Sequence, residues 1–277
     1  MTTPTTPTPV PWVAHFGFTR TPLTKAIATR DLFARDTHAE AVARINFCVA
    51  EAALGVITGE VGAGKTVAVR AAVAALDLTR HHIIYIPNPA FGTRGLYVTI
   101  VAALGANPRF HKAEVMRQAT DLLAAEEAER HRRVVLVVDE AHLLSPAQLE
   151  ELRLLTNTDM DQASPFAGIL VGQPTLARQL RMGVFAALDQ RIATRFALKP
   201  MDLAESAAYL RHHPALVGRT DPLFADDAVA RLHRVAGGLP RKLNNAATAA
   251  LIAAAAEGKA LVDDACAKRA AAELTRD

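Results

Sequence analysis

Residues 59–66 read Gly-Glu-Val-Gly-Ala-Gly-Lys-Thr, and this stretch limits the fold of the chain more tightly than any other. The apolar run Leu54-Gly55-Val56-Ile57-Thr58 precedes it, and residues 67–76, rich in Ala and Val, follow with no helix breaker. A strand is therefore expected to feed a glycine loop that opens directly into a helix. Glycine takes a positive φ at no steric cost and places no Cβ in the way, so Gly59, Gly62 and Gly64 would let backbone N–H groups converge on one point. Converging N–H groups at a helix N-terminus bind an anion of dense charge. The spacing to Lys65 and Thr66 is that of a Walker A loop, whose lysine reaches the β- and γ-phosphates and whose hydroxyl completes a Mg²⁺ shell. The expected nucleotide-binding residues are thus Gly59, Glu60, Val61, Gly62, Ala63, Gly64, Lys65 and Thr66.

A second motif has the form of the partner this loop requires. Val134-Val135-Leu136-Val137-Val138 has the aliphatic density of a buried parallel strand and ends in Asp139-Glu140. At a strand end Asp139 can hold Mg²⁺ with Thr66, directly or through water, and Glu140 can polarise an attacking water. The acidic pair is not needed as a helix cap, because Ser145-Pro146-Ala147-Gln148 is itself a capping box with proline at the first helical position. The two motifs together predict binding of ATP with Mg²⁺, and its hydrolysis.

Bulk properties narrow the class. The chain has 277 residues, 51% of them hydrophobic but only 5% aromatic, so a sizeable core built mainly of Ala, Val and Leu is expected. Its net charge of +3 is compatible with nucleic acid and does not demand it. Cys48 and Cys266 are the two cysteines; far apart and without metal spacing, they point to neither a disulfide framework nor a zinc site, and a reducing cytoplasm is the default. Residues 1–11, Thr and Pro with no positive charge, read as a disordered tail rather than a signal peptide. The longest run of low polarity, residues 246–256, is well short of the roughly 20 needed to span a bilayer. No membrane partner is expected.

Apolar runs at 54–58, 82–86, 134–138, 167–171 and 193–198 alternate with helix-like stretches at 67–76, 95–104, 113–131 and 146–157. That alternation predicts a three-layer α/β P-loop domain with a mainly parallel sheet, over residues 12–200. Beyond Pro200 the strands stop. Residues 202–212, 226–235, 240–257 and 263–274 read as helices, with Asp202 and Glu205, Asp226 and Asp263 as acidic starts and Gly237, Gly238 and Gly258 at ends. Residues 201–277 are accordingly expected to form a small all-helical lid, with Pro214 stopping or kinking its first helix.

A strand between the loop strand and the Asp139 strand, and a glutamate after the aspartate, resemble the AAA+ ATPases, whose helical lid follows the α/β core. That resemblance assigns further roles. Gln173, in Val171-Gly172-Gln173-Pro174, falls where a polar residue senses the γ-phosphate. Arg195 first and Arg191 second, in Asp189-Gln190-Arg191-Ile192-Ala193-Thr194-Arg195, fall where an arginine finger for a neighbouring subunit lies. Arg241, in Gly237-Gly238-Leu239-Pro240-Arg241, corresponds to the lid arginine that reaches the γ-phosphate. Asp139-Glu140-Ala141-His142 also spells the DEAH helicase tetrapeptide. It reads as coincidence, because such helicases use two linked motor domains and this chain has room for one.

Taken with His15-Phe16-Gly17-Phe18, Pro22, His38-Ala39-Glu40-Ala41 and the run from Glu150 to Asn157, these motifs make the chain similar to the ExeA-type AAA+ ATPases from about residue 12 onward. That group holds secretion ATPases and helpers of DDE transposases similar to TnsC, MuB and IstB. Secretion members continue into a transmembrane segment and a cell-wall-binding portion. The sequence ends at Asp277 without them, which favours the transposition branch as the expectation. The resemblance implies ATP held between core and lid, a homo-oligomeric ring or filament, sequence-nonspecific duplex DNA as a partner and delivery of that DNA to a DDE transposase. The segment 80–118, with Arg80, Arg94, Arg109, Lys112 and Arg117 against Glu114, supplies the candidate phosphate grips, Thr93, Arg94, Arg109 and Lys112. A protein-only switch of the secretion-associated type is the alternative.

Overall fold

The computed structural model describes residues 11–24, 27–157 and 164–274. The expected tail thus lies outside the described residues except for Pro11, which opens the short helix α1 (Pro11–His15). The described residues form two compact units: one within Asp36–Val61 and Lys65–Lys199, the other within the stretch before Asp36, Gly62–Gly64 and the stretch from Pro200 on.

The first unit is an α/β layer structure. Its strands are β1 (Leu54–Gly59), β2 (His81–Ile86), β3 (Arg133–Val138), β4 (Phe166–Gly172) and β5 (Ile192–Leu198). Helix α2 (Asp36–Ala50) precedes them, and helices α3 (Lys65–Ala74), α4 (Thr93–Ala103), α5 (Lys112–Ala128), α6 (Pro146–Leu155), α7 (Pro174–Leu180) and α8 (Ala186–Asp189) lie between them in sequence. The strand order is β2-β3-β4-β1-β5, and every pairing is parallel. β4 therefore separates β1 from β3. β1 and β4 are buried along their whole length and β3 all but its first residue, because helices cover both faces of the central strands. The edge strands β2 and β5 are mixed.

Small residues set how closely these layers approach. A Cβ at Gly55 would lie 2.6 Å from Cys48 Sγ, so the bare backbone of β1 is what lets α2 pack there. Burial pushes the Cys48 thiol up to about 11, which makes it an inert part of the core. The capping box at Ser145 and Gln148 forms as expected, with Ser145 Oγ accepting from Gln148 N–H at 3.3 Å and Gln148 Oε1 accepting from Ser145 N–H at 3.0 Å. Helix α2 has no counterpart among the predicted helices. Its buried residues Ala41, Ile45, Cys48 and Val49 nonetheless follow a helical period.

The second unit is helical: α1 with α9 (Leu203–Ala215), α10 (Asp226–Ala236), α11 (Pro240–Ala256) and α12 (Asp264–Leu274). Residues 12–35, expected to open the P-loop core, pack here instead. Val13, Phe16, Phe18 and Leu23 share one buried cluster with α11, whose own buried residues are mostly alanine. Asp202 and Glu205 form the predicted capping box, and Glu205 also receives two bonds from the buried Arg35 guanidinium. Asp263 Oδ1 accepts from Cys266 N–H at 2.9 Å at the start of α12. Asp226, by contrast, sits inside the first turn of α10, whose cap is Ala225. Pro214 does not end α9 before itself; the helix runs on to Ala215, since one lost N–H so close to a helix end costs little. Gly238, at φ +68°, accepts from Met201 N–H at 2.8 Å, and a Cβ there would stand 2.1 Å from Met201 O. Among the described residues no helix is long and apolar enough to cross a membrane.

His213 gives this unit a pH dependence. Its ring is buried and its Nε2 has no hydrogen-bond partner. Burial, and secondarily the charge of His212, push its imidazole down to about 4. The unfolded chain, with an ordinary value of about 6.5, takes up a proton between those values that the folded chain refuses. Stability is therefore full above about pH 6.5 and falls as pH drops toward 4, by about 3 kcal/mol in all. Urea midpoints measured from pH 7 to pH 4.5 are expected to fall, with that share of the slope lost in His213→Leu. Gly238→Ala is expected to cost about 3 kcal/mol in the same experiment, from strain and clash together.

Candidate functional site

The strand ends at one edge of the parallel sheet carry the chemistry. The chain leaves β1 at Gly59 and enters α3 at Lys65. Gly62 (φ +84°) and Gly64 (φ +96°) take the left-handed conformations that the loop demands. Gly59, expected to share them, does not, because it still belongs to β1, where its backbone is extended. The Lys65 ammonium is buried and donates to Gly59 O at 2.9 Å and Glu60 O at 3.0 Å, so the loop's own carbonyls hold it in place. Ala63 is fully buried and Val61 exposed.

Thr66 and Asp139, 73 residues apart in sequence, meet: Thr66 Oγ1 donates to Asp139 Oδ2 at 2.8 Å. The buried Asp139 carboxylate takes two further bonds, from Tyr85 Oη to Oδ2 at 3.0 Å and from Glu140 N–H to Oδ1 at 2.9 Å. Burial, and then the charge of Asp139, push the Tyr85 phenol up to about 12, so it stays a proton donor at neutral pH. The donor set fits Mg²⁺. A hydroxyl and a carboxylate oxygen stand within one hydrogen bond of each other, and Mg²⁺ is ordinarily held by one or two such hard oxygens, the rest of its shell being phosphate and water.

Glu140 adopts φ 52°, ψ 34°, a left-handed conformation that is uncommon for a glutamate. That turn starts a single 3₁₀ turn, Ala141–Leu143, and leaves the Glu140 side chain half-exposed beside Asp139. Gln173, the residue after β4, is partly buried, and its Nε2 lies 3.0 Å from His142 Nε2. Thr66, Asp139, Glu140 and Gln173 are thus gathered at the ends of β1, β3 and β4, with Tyr85 joining them from β2. Neither Tyr85 nor His142 stands among the expected site residues. Tyr85 is the one polar-tipped aromatic in an otherwise aliphatic strand end, the only trace it leaves in sequence.

The two candidate finger arginines have partners within the unit. Arg195, on the edge strand β5, donates through Nη2 to Asp189 Oδ1 at 2.6 Å and to Asp189 O at 2.8 Å. Arg191 Nη1 donates to Thr156 Oγ1 at 2.9 Å and so ties the end of α6 to the start of β5. In the helical unit Arg241 is exposed near the start of α11. Its N–H donates to Gly62 O at 3.3 Å, and a Cβ at Gly62 would lie 2.8 Å from Arg241 Cβ.

Of the candidate phosphate grips, Thr93 begins α4, while Arg94 donates through Nε to Phe110 O at 2.9 Å and through Nη2 to Arg109 O at 3.2 Å. Arg94 thereby shapes the 107–111 loop while its charge stays unneutralised by these carbonyls. Lys112 is instead paired with Glu151 at 2.5 Å, a carboxylate that also accepts from the buried Tyr97 hydroxyl. Arg109 is exposed, and Phe110 beside it is 80% exposed.

Comparison with known proteins agrees with this geometry. Residues 49–180 match the family model described as an AAA domain. General secretion pathway protein A of Aeromonas hydrophila is 35% identical over 252 residues, or 89% of this chain and 45% of that protein, so the chain spans under half the length of that relative. Among solved structures, the ORC2 protein of Aeropyrum pernix superposes with a TM-score of 0.65 at 18% identity, over 92% of this chain and 71% of that one. Cdc6p from Pyrobaculum aerophilum does so with a TM-score of 0.71 at 16% identity, over 91% and 70%. Drosophila ORC bound to DNA matches with a TM-score of 0.71 at 16% identity, over 100% and 70%. At such identities these structures speak for the fold alone. The chain has the AAA+ P-loop fold, with a helical C-terminal region.

Proposed function

We propose that this chain is a Mg²⁺-dependent ATPase that binds duplex DNA without sequence preference in its ATP state, assembles along it as a ring or filament, and delivers it to a DDE transposase. The observation that carries the ATPase reading is the Thr66–Asp139 hydrogen bond with Glu140 beside it. Backbone N–H groups of residues 60–64 and the Lys65 ammonium bind the triphosphate, Lys65 exchanging loop carbonyls for phosphate oxygens. Thr66 and Asp139 would hold Mg²⁺, which supplies charge neutralisation of the phosphates when bound. Tyr85 orients the Asp139 carboxylate. Glu140 accepts the proton of the attacking water, and Gln173 and Arg241 report the γ-phosphate. Arg195 of a neighbouring copy completes the site by leaving Asp189, and this makes assembly depend on nucleotide state. An exposed ion pair is worth about 0–1 kcal/mol, so the exchange is cheap.

For DNA the support is the exposed Arg109 and Phe110, set in a loop that Arg94 shapes. A second reading has its own observation. The likeness to a general secretion pathway protein favours a switch whose nucleotide state is read by a protein partner alone.

Lys65→Ala is expected to weaken ATP binding about 10–100-fold, the worth of a charged hydrogen bond or two. Glu140→Gln should keep binding and lower kcat by about 10²–10⁴-fold, as loss of a general base does. Fluorescent-nucleotide titration and phosphate release read these two outcomes. Random-duplex binding is expected only with ATP, weakening steeply with salt, and Arg109→Glu should lower the log–log salt slope by about 1. Lys112→Glu is a poor probe, because it would place a second carboxylate against Glu151. Tight ATP binding with no duplex binding at any salt would sink the DNA reading in favour of the protein-only switch.

A further inference from the structure

His142 occupies a place that the hydrolysis reading above leaves unused. Its side chain is 13% exposed and lies between two site residues. Nδ1 is 3.4 Å from Glu140 Oε2, and Nε2 is 3.0 Å from Gln173 Nε2. The Gln173 backbone N–H donates toward Nδ1 at 3.5 Å, the outer limit of a hydrogen bond, and that weak contact favours a lone pair there.

The 3.0 Å contact at Nε2 and the anion beside Nδ1 outweigh that weak bond and select one arrangement of the ring. A side-chain NH₂ only donates, so facing it Nε2 must accept, and the ring proton then resides on Nδ1, aimed at the Glu140 carboxylate. Turning the Gln173 amide over would put the proton on Nε2 and set a lone pair against Glu140, the poorer arrangement for an anion. Two backbone features bring the ring there. The left-handed Glu140 folds the chain back through the turn Ala141–Leu143. Gly172 lets that turn approach β4, since a Cβ at 172 would lie 3.1 Å from His142 N.

We propose that His142 is a positioning residue that links Glu140 to Gln173, so that the water-polarising carboxylate and the γ-phosphate contact are set together. The proposal rests on the ATPase reading. Without the ring, a half-exposed glutamate samples several rotamers. A base displaced by about 1 Å can lose about 10²-fold in rate. The ring touches neither Lys65 nor Thr66 among its recorded partners, so affinity for ATP should not depend on it.

The test is a double-mutant cycle on the full chain with His142→Ala, Gln173→Ala and both, measuring kcat by phosphate release and ATP affinity by fluorescent-nucleotide titration. Each single change is expected to lower kcat about 10–100-fold, with affinity held within about 2-fold in His142→Ala. The double variant should fall no more than about 3-fold below the worse single one, because residues acting as a unit are not additive. Losses that multiply, or an unchanged kcat in His142→Ala, overturn the proposal. A second readout does not need turnover or a His142 variant that folds: ¹⁵N chemical shifts of the His142 ring. An Nδ1–H tautomer that is lost in Gln173→Ala supports the link, and a tautomer indifferent to that change overturns it. If the wild-type chain binds ATP but never hydrolyses it, the ATPase reading fails, and the ring shifts still decide whether the link exists.

Discussion

The hydrogen bond from Thr66 to Asp139 fixes more than two side chains. It joins the start of α3, the helix that follows β1, to the end of β3; β1 and β3 are not neighbours, and β4 lies between them. Such a bond can form only if all three strands run the same way and end level. The registers Thr58↔Gly172 and Val138↔Leu170 provide this, setting the exits of β1, β3 and β4 along one edge. In a parallel sheet every strand delivers its C-terminal residue to that same edge, which is where ligands of open α/β sheets bind. The helices between the strands then serve to make parallel pairing possible and to bury both sheet faces.

Much of this is legible in the residues alone. Aliphatic runs dense enough to be buried on both faces mark β1, β3 and β4, and the structure extends each by only a residue or two. Capping boxes at 145–148 and 202–205 are local in sequence, so their chemistry can be read without a fold. What escapes is whatever depends on register. Tyr85 reaches Asp139 across 54 residues, and no spacing rule connects them. His142 is hidden for the same reason: its partner Gln173 lies on the next strand's exit. Helix α2 is masked by its short apolar stripe of Ala41, Ile45 and Cys48, which has little bulk to announce a period. Phe16 and Phe18 stand well before the glycine loop in sequence and yet belong to the helical unit's core.

Charge shows a similar division. Sequence identifies cations; it does not say which of them are occupied. Arg195 is held by Asp189 and Lys112 by Glu151, while Arg94 is bound by carbonyls that leave its charge uncompensated. The three therefore differ in what a phosphate must displace. For Arg94 and the exposed Arg109 there is no carboxylate to displace in these contacts. For Lys112, freeing the ammonium would leave Glu151, a mostly buried carboxylate, with only the Tyr97 hydroxyl.

The left-handed backbone at Glu140 has a consequence for anyone who would stabilise this protein. A glutamate there carries roughly 1 kcal/mol of conformational cost that glycine or asparagine would relieve. Selection for thermal tolerance alone would favour those two residues at this position, and each removes the carboxylate. Under the ATPase reading proposed above, the most stable chain and the most active chain part company at one residue, and a screen that scores melting temperature without turnover would walk toward an inert variant.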